Sequence, residues 1–215
     1  MGNSVVDYVE RIARMMMPKS PGHGWDHVLR VRAIAMRIAE EVEGVDKEVL
    51  ELAVLLHDVG RAIDEENHAE ASARFAEKVL GALGYPEDKL RRVVEAIRSH
   101  SFSSGRRSRS IEAAILSDAD KLDALGAVGI ARVFLYSGEK GRSIEESLRH
   151  FYEKILRLPE AMVTEPGRRM AEERVRIVKF FVEELRRELE DISGGVRDSV
   201  GAGLGGGDEV CQNIH

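Results

Sequence analysis

Apolar residues recur every three to four positions along almost the whole chain, and no useful stretch alternates apolar with polar residues. That spacing lays the apolar side chains along one stripe of an α-helix. Such stripes are buried by packing helix on helix, so the expected fold class is all-α, a helical bundle. Glycine and proline punctuate the pattern and predict helices over 4–17, 25–43, 47–59, 68–83, 87–100, 111–125, 128–136, 143–158 and 166–191. Asp46 and Asn67 stand where N-caps are needed, and Pro86 stands at a helix start. The segment 101–110 is polar and arginine-rich around Gly105–Arg109, which reads as an exposed loop.

The chain has 215 residues, enough for one well-filled core. Residues 1–192 are expected to form one domain. The glycine-rich end, 193–215, gains too little from burial to offset its ordering entropy and is expected to be a flexible tail. Net charge is −6, which argues against a binder of nucleic acid polymers or anionic membranes. No apolar run approaches the roughly 18 residues of a membrane span, and no secretory signal pattern opens the chain. The single cysteine, Cys211, has no disulfide partner, so a cytoplasmic protein is expected and a cysteine-based zinc site is excluded. Glutamine occurs once, at Gln212, and arginine outnumbers lysine, a composition expected of a thermophile.

The seven histidines carry the chemistry. By helical counting His27 shares a face with Val31, Ile34 and Ile38, and His57 shares one with Leu50, Ala53 and Val54. His68 lines up with Ser72, Phe75 and Val79, His100 with Val93 and Ile97, and Asp120 with Leu116 and Ala113. Four imidazoles and a carboxylate therefore point inward. Burying such groups together costs several kcal/mol unless they are paired or bound to a cation. The neighbours His57 and Asp58 point about 100° apart on a helix, and they share a target only if it sits beside the helix end, where Gly60 follows. Nitrogen and oxygen donors without thiolate suit Mn²⁺, Fe²⁺, Ni²⁺ or Co²⁺ better than Mg²⁺ or Zn²⁺.

The order His27, His57-Asp58, Asp120, set in WDHVLRV, LLHDVG and SDADKLDALGA, resembles the signature of the HD metal-dependent phosphohydrolase superfamily. The stretches IRSHSFS and HFYEKILRLPEAMVTEPGRRMAEERV extend that resemblance over about 1–190, toward its small single-domain bacterial and archaeal branch. It implies an HD-domain helical bundle with His27, His57, Asp58 and Asp120 as metal ligands. Asp120 is preferred to its neighbours because it directly precedes Lys121-Leu122, which leaves Asp118 a structural part.

The implied reaction is attack of metal-activated water on phosphorus in a nucleotide or another small phosphate ester, with hydrolysis of nucleoside triphosphates to release pyrophosphate as one activity of the branch. Asp58 and Lys121 are the expected catalytic residues. His68, His100, His23 and Arg61 are expected to contact a substrate phosphate or hold a second ion. Arg61 occupies a position that is acidic in some nucleotidase relatives, so the general acid or base is unassigned, with Asp64 or Glu65 as stand-ins. Arg30 reads as an ordinary salt-bridge partner. The alternatives are a binuclear phosphodiesterase of cyclic nucleotides or dinucleotides, and a helical binding protein that keeps the metal for stability. The apolar edge of Val128–Tyr136 suggests a homodimer.

Overall fold

The computed structural model describes residues 4–17, 20, 22–100 and 110–201, with residues 192–201 as backbone only. Among the described residues there are nine α-helices and no strand. They are α1 (Val5–Met16), α2 (Trp25–Glu40), α3 (Lys47–Leu56), α4 (His68–Ala82), α5 (Glu87–Ser99), α6 (Ile111–Asp123), α7 (Gly126–Glu139), α8 (Ile144–Glu153) and α9 (Glu165–Gly201). Short 3-10 turns at Val59–Ala62 and Ile155–Ala161 join α3 to α4 and α8 to α9. The all-α expectation is met.

Helix α3 sits at the centre because its sequence, KEVLELAVLL, is apolar on nearly every side after the first turn, with Glu51 the one charged residue there, paired with Arg32. Val49, Leu50, Leu52, Ala53, Val54, Leu55 and Leu56 are all buried. Helices α1, α2, α5 and α6 pack around it. Asp46 caps α3 as expected, its carboxylate accepting the Val49 N–H at 3.2 Å. The capping expected of Asn67 does not occur, because its amide donates instead to Asp64 at 3.2 Å. Phe134, Phe151 and Phe181 pack with ring centroids 5.8–6.0 Å apart and tie α7, α8 and α9 together.

Several boundaries differ from the periodic pattern. Helix α2 stops at Glu40, before Gly44, and the expected helix 143–158 divides into α8 and a 3-10 turn that contains Pro159. Proline cannot donate to an α-helical ladder, which favours the break. Helix α7 is longer than expected at both ends. Helical backbone in α9 runs past Asp191 to Gly201, so the first residues assigned to the tail are helical. The basic loop Gly105–Arg109 and residues 202–215, Cys211 included, lie outside the described residues. No described helix is long and apolar enough to cross a membrane.

Candidate metal centre

Helix ends, rather than helix faces, deliver the cluster. His57 is the C-cap of α3 and His100 the C-cap of α5, while Asp120 lies in the last turn of α6 and His27 in the first turn of α2. Three helix C-termini thus converge, and their partial negative charge favours a cation. The α-helix ends at His57, and Asp58 takes φ −113° and ψ 3°, outside the helical region. That change of backbone lets adjacent side chains reach one target. The turn is held by Gly60, whose N–H donates to Ser72 Oγ at 2.8 Å. A Cβ at position 60 would collide with the His68 carbonyl and come within 2.5 Å of Ser72 N, so glycine lets α4 approach and brings His68 to Asp58.

The donor atoms lie close together. His27 Nε2 is 3.3 Å from Asp120 Oδ1, 3.7 Å from Asp58 Oδ2 and 3.3 Å from His57 Nε2. His57 Nε2 is 3.8 Å from Asp58 Oδ2, and His68 Nε2 is 3.7 Å from Asp58 Oδ1. His23 Nδ1 approaches Asp58 Oδ2 at 3.7 Å. The imidazoles of 23, 27, 57, 100 and 68 form a continuous edge-to-face series with centroids 5.1–5.8 Å apart. Three overlapping sets can each hold an ion: His23, His27 and Asp58; His27, His57 and Asp120; and His57, Asp58 and His100.

Hydrogen bonds on the far side of the rings set the tautomers. His57 Nδ1 lies 2.7 Å from the Val54 carbonyl and His100 Nδ1 lies 2.6 Å from the Ile97 carbonyl, so each Nδ1 must donate. His27 Nδ1 meets Asp123 Oδ2 at 2.7 Å. In the neutral rings each Nε2 then carries a lone pair, and those of His27 and His57 face one another. Two facing acceptors call for a cation between them. Asp58 Oδ1 is buried without a hydrogen-bond partner, a costly state for a carboxylate oxygen unless an ion completes it. These observations fit a bound divalent ion.

The electrostatics agree. Burial alone would raise the Asp58 carboxyl, but His57, His23, Arg61 and His27 outweigh it and hold the group well below the usual range. Asp120 is likewise held well below it, burial being overcome by His27, His57 and His100. Burial pushes His57 and His100 down, toward the neutral form that binds metal. His27 is the exception: burial pushes it down, but its hydrogen bonds to Asp120 and Asp123 move it up overall, so this ring must release its proton to take an ion. The Asp120 side chain is 31% exposed where Asp58 is sealed, so Asp120 opens the centre to the cavity beside it.

That cavity holds about 600 Å³. His23, Arg61, His68, Asp120, Lys121 and Arg132 line its inner part. Arg61 Nε donates to Asp58 Oδ2 at 2.7 Å. Lys121 is buried, its ammonium donating to the Ser117 carbonyl at 3.0 Å and to the Ser117 hydroxyl. Glu65 lies on the cavity wall near Lys140, at 3.7 Å, and Asp64 accepts hydrogen bonds from Asn67 instead of joining the cluster. Asp118 turns away from the cluster and accepts from Val163 N at 2.9 Å, Thr164 N at 2.7 Å and Thr164 Oγ1 at 2.7 Å, fixing the start of α9 behind the centre.

Two residues take supporting roles that the sequence did not assign. Asp123 orients His27 and is held by Arg30 Nε at 2.7 Å and Arg132 Nη1 at 2.9 Å. Burial works against its ionisation, yet His27, Arg30 and Arg132 bring its carboxyl down to about 2. Its position three residues after Asp120 was the available signal. Arg132 had none, because it arrives from α7 through tertiary packing.

Residues 24–125 match the HD domain family. The uncharacterized protein YpgQ of Bacillus subtilis is 33% identical over 190 residues, covering 84% of this chain and 91% of YpgQ. A crystal structure of YpgQ in complex with ADP superposes with a TM-score of 0.72 at 32% identity, over 85% of this chain and 97% of that one. An HD-superfamily hydrolase from Bacillus thuringiensis superposes at 0.68 with 34% identity, over 86% and 96% of the two chains. Likeness of this extent, in sequence and in fold together, places the chain in the HD hydrolase superfamily.

Proposed function

We propose that this protein is a divalent-metal-dependent phosphohydrolase acting on nucleotides or other small phosphate esters. The observation that carries the reading is the buried, unpartnered Asp58 Oδ1 inside a histidine cluster that opens, through Asp120, on a cation-lined cavity. The ADP bound by the related YpgQ supports a nucleotide as ligand. His27, His57, Asp58 and Asp120 would hold the ion. Once bound, a divalent ion supplies Lewis-acid polarisation of a phosphoryl oxygen and acidifies the attacking water.

The chain's own groups do the rest. Arg61, Arg132 and Lys121 face the inner cavity and neutralise phosphate charge, which grows on the leaving group during cleavage. His68 Nε2 stands 3.7 Å from Asp58 Oδ1 and accepts from Arg61 Nη2 at 3.4 Å, so the neutral ring offers a lone pair to an ion and only the protonated ring would donate to a phosphate oxygen. His23 extends the same wall beside Arg132, 3.5 Å away. His57, Asp58 and His100 are sealed from solvent, which keeps their ligand atoms dehydrated and fixed in place.

One observation favours a second reading, the binuclear phosphodiesterase. The set His57, Asp58 and His100, with His68 near the other Asp58 oxygen, offers donors for another ion. A panel of nucleoside tri-, di- and monophosphates and cyclic nucleotides, tested with Mn²⁺, Co²⁺, Ni²⁺ and Mg²⁺ and resolved by chromatography, separates the two. Pyrophosphate or phosphate release that is lost in excess chelator supports the first reading. Ring opening with two ions per chain supports the second, and full turnover in chelator removes both.

A further inference from the structure

His23 stands in the turn ahead of α2, outside any helix, so no helical periodicity fixes its direction. Gly24, the N-cap of α2, has no side chain with which to brace the turn. Among the described residues, neither Gly22 nor His23 bonds to another backbone group. Yet His23 Nδ1 lies 3.7 Å from Asp58 Oδ2, and its ring meets the His27 ring edge-to-face with centroids 5.8 Å apart. The tether has to come from outside the turn.

Helix α7 supplies it. Arg132, Tyr136 and Glu139 follow at spacings of four and three, so they share one face of the helix. Arg132 Nε donates to the Gly22 carbonyl at 3.0 Å, the Tyr136 ring meets the His23 ring edge-to-face at 6.0 Å, and Glu139 accepts from Ser20 Oγ at 3.3 Å. Arg132 Nη2 also comes to 3.5 Å from His23 Nδ1. On its other side the same guanidinium is anchored to Asp123, Nη1 to Oδ2 at 2.9 Å. Asp123 has no need of this second arginine. Arg30 already donates to both its oxygens, at 2.7 and 3.1 Å, and His27 Nδ1 adds a third bond at 2.7 Å. The Arg132 side chain is nonetheless only 11% exposed, and burying a guanidinium is unfavourable unless its donors find partners. Its partners are a carboxylate on α6 and a carbonyl in the turn, bonded at the same time.

We propose that Arg132 is a positioning residue that fixes His23 beside Asp58, by joining the Gly22 carbonyl to the Asp123 carboxylate through one guanidinium. This role is distinct from the positive charge that Arg132 presents to the cavity. Any cation supplies charge, but only a planar fork bonds both partners at once; the lysine ammonium, a point donor on a flexible stem, serves one at a time. The position of the turn follows from the geometry alone. Its consequence for hydrolysis, through a displaced His23, rests on the phosphohydrolase reading.

Trp25, the chain's single tryptophan, is the first residue of α2, two residues beyond His23 and partly buried, so its fluorescence reports on the turn without any substrate. Acrylamide quenching is measured on the full chain for the wild type, Arg132→Lys, Arg132→Gln and Arg30→Lys, each with its melting curve. Both Arg132 variants are expected to raise the quenching constant about twofold as the turn loosens. Arg30→Lys should leave it at the wild-type value, because Arg30 bonds to Asp123 and not to the turn. Steady-state kinetics with a nucleoside triphosphate and Mn²⁺ give the second readout. Arg132→Lys should lower kcat about tenfold or more, and adding it to His23→Ala should lower kcat no further, since both changes take the same group out of place. Wild-type quenching in Arg132→Lys, whose charge is retained, overturns the proposal, and so do kcat losses that multiply in the double variant. Should one Arg132 variant lack a cooperative melting transition, the other decides. If no phosphate compound is hydrolysed yet both Arg132 variants raise the quenching, the phosphohydrolase reading fails and the positioning role stands. If triphosphates are cleaved and Arg132→Lys matches the wild type in quenching and kcat, the reading stands and the role falls.

Discussion

The Asp123 carboxylate lies 2.7 Å from His27 Nδ1, on the side of the ring away from the cluster. With its carboxyl brought down to about 2, Asp123 is an acceptor at any ordinary pH, so His27 Nδ1 donates and Nε2 is left to face the centre. A carboxylate 96 residues away in sequence thus decides which nitrogen of His27 is available.

Asp123→Asn is therefore expected to reduce metal affinity about 10- to 100-fold, the usual consequence of disturbing a hydrogen-bond partner of a ligand histidine. Competition titration with a chromogenic chelator measures it. An affinity equal to that of the wild type would show that His27 keeps its tautomer without Asp123.

Metal content tests the centre directly. The purified chain should carry about one divalent ion and His57→Ala should lose it, because His57 contributes to two of the three donor sets. Chelator should also lower the wild-type melting temperature, since an ion that binds only the folded state stabilises by mass action. Undiminished metal in His57→Ala by elemental analysis would remove His57 from the ligands.

Gly60→Ala should be destabilising by about 1–3 kcal/mol, as overpacking usually is, because the new Cβ meets the α4 backbone at His68 and Ser72. As α4 retreats, His68 moves away from Asp58. Chemical denaturation gives the stability and substrate titration gives the effect on the site. Unaltered stability would mean that the close approach relaxes freely.

Acid stability is expected to depend in part on Asp46. Its carboxyl lies below its ordinary value of 3.8: partial burial opposes this, and Lys89 at 3.1 Å and the Val49 N–H outweigh it. A group whose pKa is depressed by folding stabilises above its unfolded value, and the contribution is lost as pH falls through the folded one. Asp46→Asn keeps a capping side chain but loses the charge. The difference in stability between wild type and variant should be on the order of 1 kcal/mol or less at neutral pH, as for partly exposed pairs, and should shrink below about pH 4. Melting curves over the acidic range check it, and a difference that does not begin to fall below about pH 4 contradicts it.

The amino-acid sequence determined the all-α class, the central place of the apolar segment 47–56, and the inward direction of His27, His57, His100 and Asp120, because these follow from a 3.6-residue period that operates within each helix. It also drew attention to His57 and Asp58 as neighbours. The tertiary structure decided the rest. Asp58 turns toward the same point as His57 because the α-helix stops between them, and the stop is secured by the fit of Gly60 against α4. Asp123 and Arg132 join the centre only through the packing of α2, α6 and α7, and His150, which has no place in the histidine pattern, reaches the cavity wall through α8. Local periodicity fixes which way a side chain leaves its own helix. Which helix ends meet is set by the whole core, and it is there that carboxylates and cations distant in sequence become partners.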